Sequence, residues 1–127
     1  MPHVTIEYSA NLDEQVQMSA LCKVAKAAMM ETGLFELGAV RVRAVRCEAY
    51  AIADELQENA FVAVLVRIGA GRSDADKKRI GETLFAALTA ALAGPFATPH
   101  FALSLDIIEN DPALSWKKNT IHMRLRK

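Results

Sequence analysis

The sequence is poor in several things at once. It has two cysteines, Cys22 and Cys47, too few and too far apart for a disulfide framework or a metal-binding spacing. Aromatic residues are 6% of the chain, which leaves little for stacking on nucleic-acid bases. Neither sign of charge is in excess: Lys plus Arg is 15 and Asp plus Glu is 15. A general nucleic-acid or anionic-membrane binder needs a net basic field that this balance does not supply. The longest apolar stretches, such as Phe61 to Val66, are far too short to span a bilayer. The start lacks the basic-then-apolar layout of a signal peptide. These absences predict a cytoplasmic protein with reduced thiols, no membrane partner and no nucleic-acid partner.

What is present is ordinary globular composition, 52% hydrophobic and 24% charged, in 127 residues, the size of one domain. A chain this short buries roughly two thirds of its unfolded surface. Apolar faces that its own elements cannot cover therefore call for an oligomer.

The hydrophobic pattern is written twice. Val4, Ile6 and Tyr8 alternate with Thr5 and Glu7 in a strand over His3 to Ser9. Asn11 is the expected N-cap of a helix from about Leu12 to Glu31, striped by Val16, Leu21, Val24, Ala25, Ala28 and Met29 and stopped at Thr32-Gly33. Val40, Val42 and Ala44 alternate with Arg41, Arg43 and Val45 in a second strand. After an irregular stretch from Glu48 to Asn59, the apolar segment Phe61 to Ile68 reads as a third strand. Ser73, with Asp76 three residues on, forms a capping box for a second helix to about Ala93, ended by Gly94-Pro95. Phe101, Leu103, Leu105 and Ile107 mark a fourth strand, and Pro112 interrupts the pattern beyond it. The short basic tail from Trp116 to Lys127 is a candidate for a further strand.

The expected fold class is therefore α+β, two tandem β-α-β units within one domain over 1–127. The first unit spans 2–47 and the second 61–108, with a C-terminal subunit-contact tail over 112–127. Crossovers of this kind give parallel strand pairs. Two helices then cover one face of a four-stranded mixed sheet. The third strand is apolar on both sides, so its other face should meet another subunit.

Three groups of residues can carry chemistry. Pro2 is the first. Removal of an initiator methionine would leave a free secondary amine, which is a base, whereas a prolyl amide is not. An α-amino group titrates at about pH 8, and an apolar site with cations nearby brings it toward neutrality, where it suits proton abstraction. The plain alternative is that Met-Pro is a common start with no role. Arg72 is the second, at the strand-to-helix turn Gly71-Arg72-Ser73-Asp74, where a guanidinium can take a carboxylate bidentately. Its alternative is a solvated arginine beside Asp74 or Asp76. Arg41 and Arg43 are the third. Two apart on a strand, they leave one face roughly 7 Å apart. They need anions, either the acids of a neighbour or a dicarboxylate ligand. In the second half Ser104 and Asp106 stand where the first has Arg41 and Arg43, which points to one composite site per chain. His3, His100 and His122 show no ligand spacing, so no metal is expected. Trp116, Lys117 and Asn119 suit either a lid or a subunit clasp.

Pro2-His3 opening a strand, Glu7-Tyr8-Ser9-Ala10-Asn11, Ile68-Gly69-Ala70-Gly71-Arg72-Ser73 and Lys117-Lys118-Asn119-Thr120-Ile121-His122 resemble the 5-carboxymethyl-2-hydroxymuconate isomerase family of the tautomerase superfamily. The resemblance spans nearly the whole chain. It implies a tautomerase/MIF-like fold, a homotrimer, and catalysis without cofactor or metal. It also implies a substrate that is an unsaturated 2-hydroxy di- or tricarboxylate from homoprotocatechuate degradation. By motif Pro2 carries over as the catalytic base. Arg41 and Arg72, with Arg43 adjacent, carry over as the substrate-binding cations. Two other readings stay open: a promiscuous keto-enol tautomerase acting on a phenylpyruvate-like acid, and a non-catalytic trimeric binding module of the same fold.

Overall fold

Strand alternation sets the architecture. The computed structural model describes residues 1–126. Strand β1 (His3–Ser9) turns Val4, Ile6 and Tyr8 to one side, where all three are buried. Strand β2 (Arg41–Cys47) lies parallel to it on one flank, and β3 (Ala60–Gly69) lies antiparallel to it on the other. Strand β4 (Phe101–Asn110) completes the sheet parallel to β3, in the order β2-β1-β3-β4. Each half of the chain thus supplies one parallel pair, and the two halves meet antiparallel along β1 and β3.

Helix α1 (Met18–Glu31) and helix α2 (Asp74–Ala91) pack on the same face of the sheet. Leu21, Ala25 and Met29 from α1 and Ile80, Leu84 and Leu88 from α2 join the inward residues of β1 and β3 in one core. Burying a side chain of this size contributes ~1.5–3 kcal/mol, so this layer holds the fold together. Among the described residues no helix packs on the opposite face of β3, and Leu65 there is 41% exposed.

The capping expectation for α2 holds: Ser73 Oγ accepts the Asp76 amide at 3.1 Å. At α1 the expectation fails. A 3-10 turn over Ala10–Leu12 comes first, and the helix starts at Met18 with Gln17 as an N-cap that makes no side-chain bond. Asn11 has other work. Its Nδ2 donates to the carbonyls of Asn59 (2.7 Å) and Gln57 (3.3 Å), tying the irregular segment to the end of β1. Gly94-Pro95 also differ from expectation. They sit inside a short helix, α3 (Ala93–Phe96), that follows Leu92. Proline is tolerated there because the first-turn amides of a helix have no intrahelical acceptor.

The tail is not a strand. After a 3-10 turn over Pro112–Leu114 it forms helix α4 (Thr120–Leu125), capped by Asn119 Oδ1, which accepts the His122 amide at 3.0 Å. The final residue of the expected tail, Lys127, lies outside the described residues. Helix α4 docks on the 3-10 turn Leu37–Ala39 that leads into β2. Among the described residues no helix is long and apolar enough to cross a membrane.

Candidate active site

The N-terminus is pinned at the edge between β1 and β2. Pro2 is buried, and its carbonyl accepts the Arg41 amide at 3.2 Å. With Met1 attached, the Pro2 nitrogen is an amide. The Arg41 guanidinium folds back over this end of the sheet and donates to the Ala39 carbonyl at 2.9 Å and to the Met1 thioether at 2.8 Å. The Met1 ammonium is held below its ordinary value of 8.0, first by burial and then by the positive charges of Lys117, Arg72 and Arg41. Any amine at this position is biased toward the neutral form, the form that accepts a proton.

Three of the four expected site residues belong to this neighbourhood, from different directions. Arg41 comes from β2. Arg72 comes from the turn into α2, where its guanidinium stacks over Phe35 at 4.5 Å from the ring centroid. It also reaches the Leu34 and Gly69 carbonyls at 3.4 Å each. The alternative, a solvated arginine beside Asp74 or Asp76, is not what forms: those carboxylates pair with Lys77 and Arg79. Arg43 stands one step along β2, on the same face as Arg41, with Nη1 3.1 Å from His3 Nδ1. A guanidinium only donates, so Nδ1 is the acceptor and the His3 proton resides on Nε2. Burial, followed by the charges of Arg67, Arg43 and Arg41, keeps His3 below its usual 6.5 and favours the neutral ring.

A cavity of about 510 Å³ opens beside these groups. Met1, His3, Arg41 and Arg67 line it together with Asn110 at the end of β4, Asp111 and tail residues 114–118. The cations Arg41, Arg67, Lys117 and Lys118 share it with one carboxylate, Asp111. Asp111 is itself engaged, accepting the Ala113 amide at 3.0 Å. Among the described residues none of these four cations lies within 4.0 Å of a carboxylate oxygen. An unpaired cluster in a concave site attracts anions, and arginine favours carboxylates. Among the described residues no three His, Cys, Asp or Glu side chains converge to hold a metal ion.

Arg67 is not among the residues that the sequence singles out. One signal was there: it is the only charged residue in the ten residues of β3. Lys117 and Trp116, expected as a lid or a clasp, both line the cavity, whereas Asn119 caps α4 and donates to the Gly38 carbonyl at 2.8 Å.

This double β-α-β sheet, with its N-terminus set among cations, is the fold of the tautomerase superfamily. A fused 4-OT solved as a symmetric trimer superposes with a TM-score of 0.64 at 18% identity, covering 87% of this chain and 88% of that one. Within that superfamily the chain belongs to the 5-carboxymethyl-2-hydroxymuconate isomerase family, whose model matches residues 2–125. It is 32% identical over 122 residues to the Escherichia coli 5-carboxymethyl-2-hydroxymuconate Delta-isomerase, covering 96% of this chain and 97% of that protein. It is also similar to the crystal structure of a 5-carboxymethyl-2-hydroxymuconate isomerase from Deinococcus radiodurans R1. That structure is 41% identical, with a TM-score of 0.92 over 99% of this chain and 95% of that one.

Proposed function

We propose that the chain isomerises 5-carboxymethyl-2-hydroxymuconate to its unsaturated 2-oxo isomer, 5-oxopent-3-ene-1,2,5-tricarboxylate. The reaction belongs to homoprotocatechuate (4-hydroxyphenylacetate) degradation and uses no cofactor. The observation that carries this reading is the placement of the chain's N-terminus beside Arg41, Arg72 and Lys117, at the mouth of an unpaired cationic cavity. The E. coli relative bears the name of that activity.

In the proposed mechanism Met1 is removed and the Pro2 nitrogen becomes the chain's free amine, one residue along from the half-buried Met1 amine and beside the same cations. Neutral Pro2 accepts the 2-hydroxyl proton, and the electron pair left behind forms the 2-oxo group and shifts the conjugated double bonds. The prolinium then returns a proton to carbon further along the chain, so the reaction is a net isomerisation. Arg41 and Arg72 bind the carboxylate and the 2-oxygen where negative charge develops, and Arg43 supports them through His3. Each well-placed donor of this kind contributes ~3–4 kcal/mol to the transition state.

The proposed assembly is a homotrimer. The bare sheet face around Leu65 and the tail's Trp116, 84% exposed, are apolar surfaces of the kind subunits cover. The tail then serves as a subunit contact as well as a cavity wall.

The test joins intact-mass analysis to ultraviolet-monitored ketonisation of the hydroxymuconate. The expected result is activity only in protein that has lost Met1. Full activity with Met1 attached, or after chemical blocking of the proline amine, would overturn the role of Pro2. Faster turnover of phenylenolpyruvate than of the hydroxymuconate would favour the broader tautomerase instead.

A further inference from the structure

Arg67 has a position that the chemistry around Pro2 does not use. In the sheet register His3 pairs with Arg41 on one side and Arg67 on the other. All three point away from the helices and line the same cavity. Neighbouring strands are ~4.8 Å apart, so the Cα atoms of Arg41 and Arg67 are separated by about 10 Å. Two guanidiniums thus flank a neutral imidazole whose Nδ1 is already occupied by Arg43. Only its Nε2–H is left for a ligand.

Resting on the isomerase function proposed for this site, we propose that Arg67 binds the substrate carboxylate farthest from the 2-oxygen. It thereby makes the site selective for a tricarboxylate over smaller enol acids. Three observations support this. Arg67 has no carboxylate partner among the described residues. It is the one charge on a strand whose other outward residues, Phe61, Ala63 and Leu65, are apolar. Asp111, the one Asp or Glu among the described lining residues, accepts from its own turn amide. With one end of the ligand held by Arg41 and Arg72, only a carboxylate beyond those two reaches along the Arg41–His3–Arg67 row to Arg67, with the His3 Nε2–H between.

The test measures binding, so it does not depend on which enol the enzyme turns over. Propane-1,2,3-tricarboxylate and glutarate are titrated calorimetrically into the wild-type protein and into the Arg67→Gln and Arg67→Lys variants. The wild type is expected to prefer the tricarboxylate by about tenfold or more, as a charge-assisted bond supplies. Arg67→Gln is expected to lose that preference while binding glutarate as the wild type does, and Arg67→Lys to keep part of it. Retained glutarate binding also shows that the variant is folded. Equal preference in wild type and Arg67→Gln, or no preference in the wild type, would overturn the assignment. So would loss of oligomer mass in Arg67→Gln with the preference intact, because Arg67 would then be a subunit contact. A protein that discriminates through Arg67 yet fails to isomerise the hydroxymuconate would sink the proposed reaction and leave the anion site standing.

Discussion

Gly38 and His122 are in backbone contact: a Cβ added to the glycine would stand 2.6 Å from the histidine Cα. The contact joins the turn before β2 to α4, and other bonds close around it. Asn119 Nδ2 donates to the Gly38 carbonyl at 2.8 Å, and Glu36 receives His122 at 3.1 Å and Arg126 through two bonds of 2.8 Å. The same joint sets the tail segment that forms the cavity wall. Gly38→Ala is therefore expected to push α4 off its seat, at a cost of about 1–3 kcal/mol. Limited proteolysis should then cut the tail ahead of the rest of the chain, and the thermal midpoint should fall. A variant with a protected tail would show that the turn yields without disturbing α4.

Arg41→Ala and Arg72→Ala each remove a donor from the neighbourhood of the N-terminus. Each is expected to lower turnover of the hydroxymuconate by roughly 10²–10³-fold, while the oligomer seen by light scattering stays intact. Arg72 also stacks on Phe35, which is 9% exposed. Phe35→Leu keeps an apolar plug but removes the ring, so it should weaken turnover through a misplaced Arg72 and affect stability less than Phe35→Ala. Wild-type kinetics for Arg72→Ala would remove that residue from the site.

Leu65 tests the assembly. It lies on the uncovered face of β3, opposite Thr5 on β1 and Asp106 on β4. Leu65→Glu places a charge where the proposed subunits pack, at no cost to the core on the other face. Sedimentation is expected to show trimers for the wild type and smaller species for the variant. Unchanged mass would place the interface elsewhere.

His3 makes stability depend on pH. Its folded-state value is lowered from 6.5, chiefly by burial and then by Arg67, Arg43, Arg41 and the chain's amine. The unfolded chain therefore binds this proton more readily than the folded one. The contribution is whole above 6.5 and is lost as the pH falls through and below that value. Denaturant titrations between pH 7.5 and about 5 should show a decline that His3→Gln reduces. An identical decline in the variant would assign it to other groups.

Alternation located β1, β2 and β4, because a half-buried strand must put apolar side chains on every second position, and a short continuous apolar run located β3. Ser73 with Asp76 located the start of α2, since a capping box is a local device whose partners lie three residues apart. The start of α1 was not readable in the same way. Asn11 has the chemistry of an N-cap, but its amide is spent on Gln57 and Asn59, more than 40 residues away. The tail's helix is hidden in the sequence for a related reason. Six residues make a marginal helix in isolation, and α4 stands only because Gly38, Glu36 and Asn119 hold it.

At the site, the arginines at 41, 43 and 72 were readable because each sits in a recognisable local setting. Arg67 and Lys117 were not, since nothing near them in the chain says that they face the same cavity. By itself the sequence determined the four strands, the capped start of α2, the doubling of the β-α-β unit and the family, all of which rest on local periodicity and motif. Only the tertiary structure decided which cations converge. Convergence depends on the register of β1 against β2 and β3 and on the docking of α4, and both are set by contacts between residues far apart in the chain.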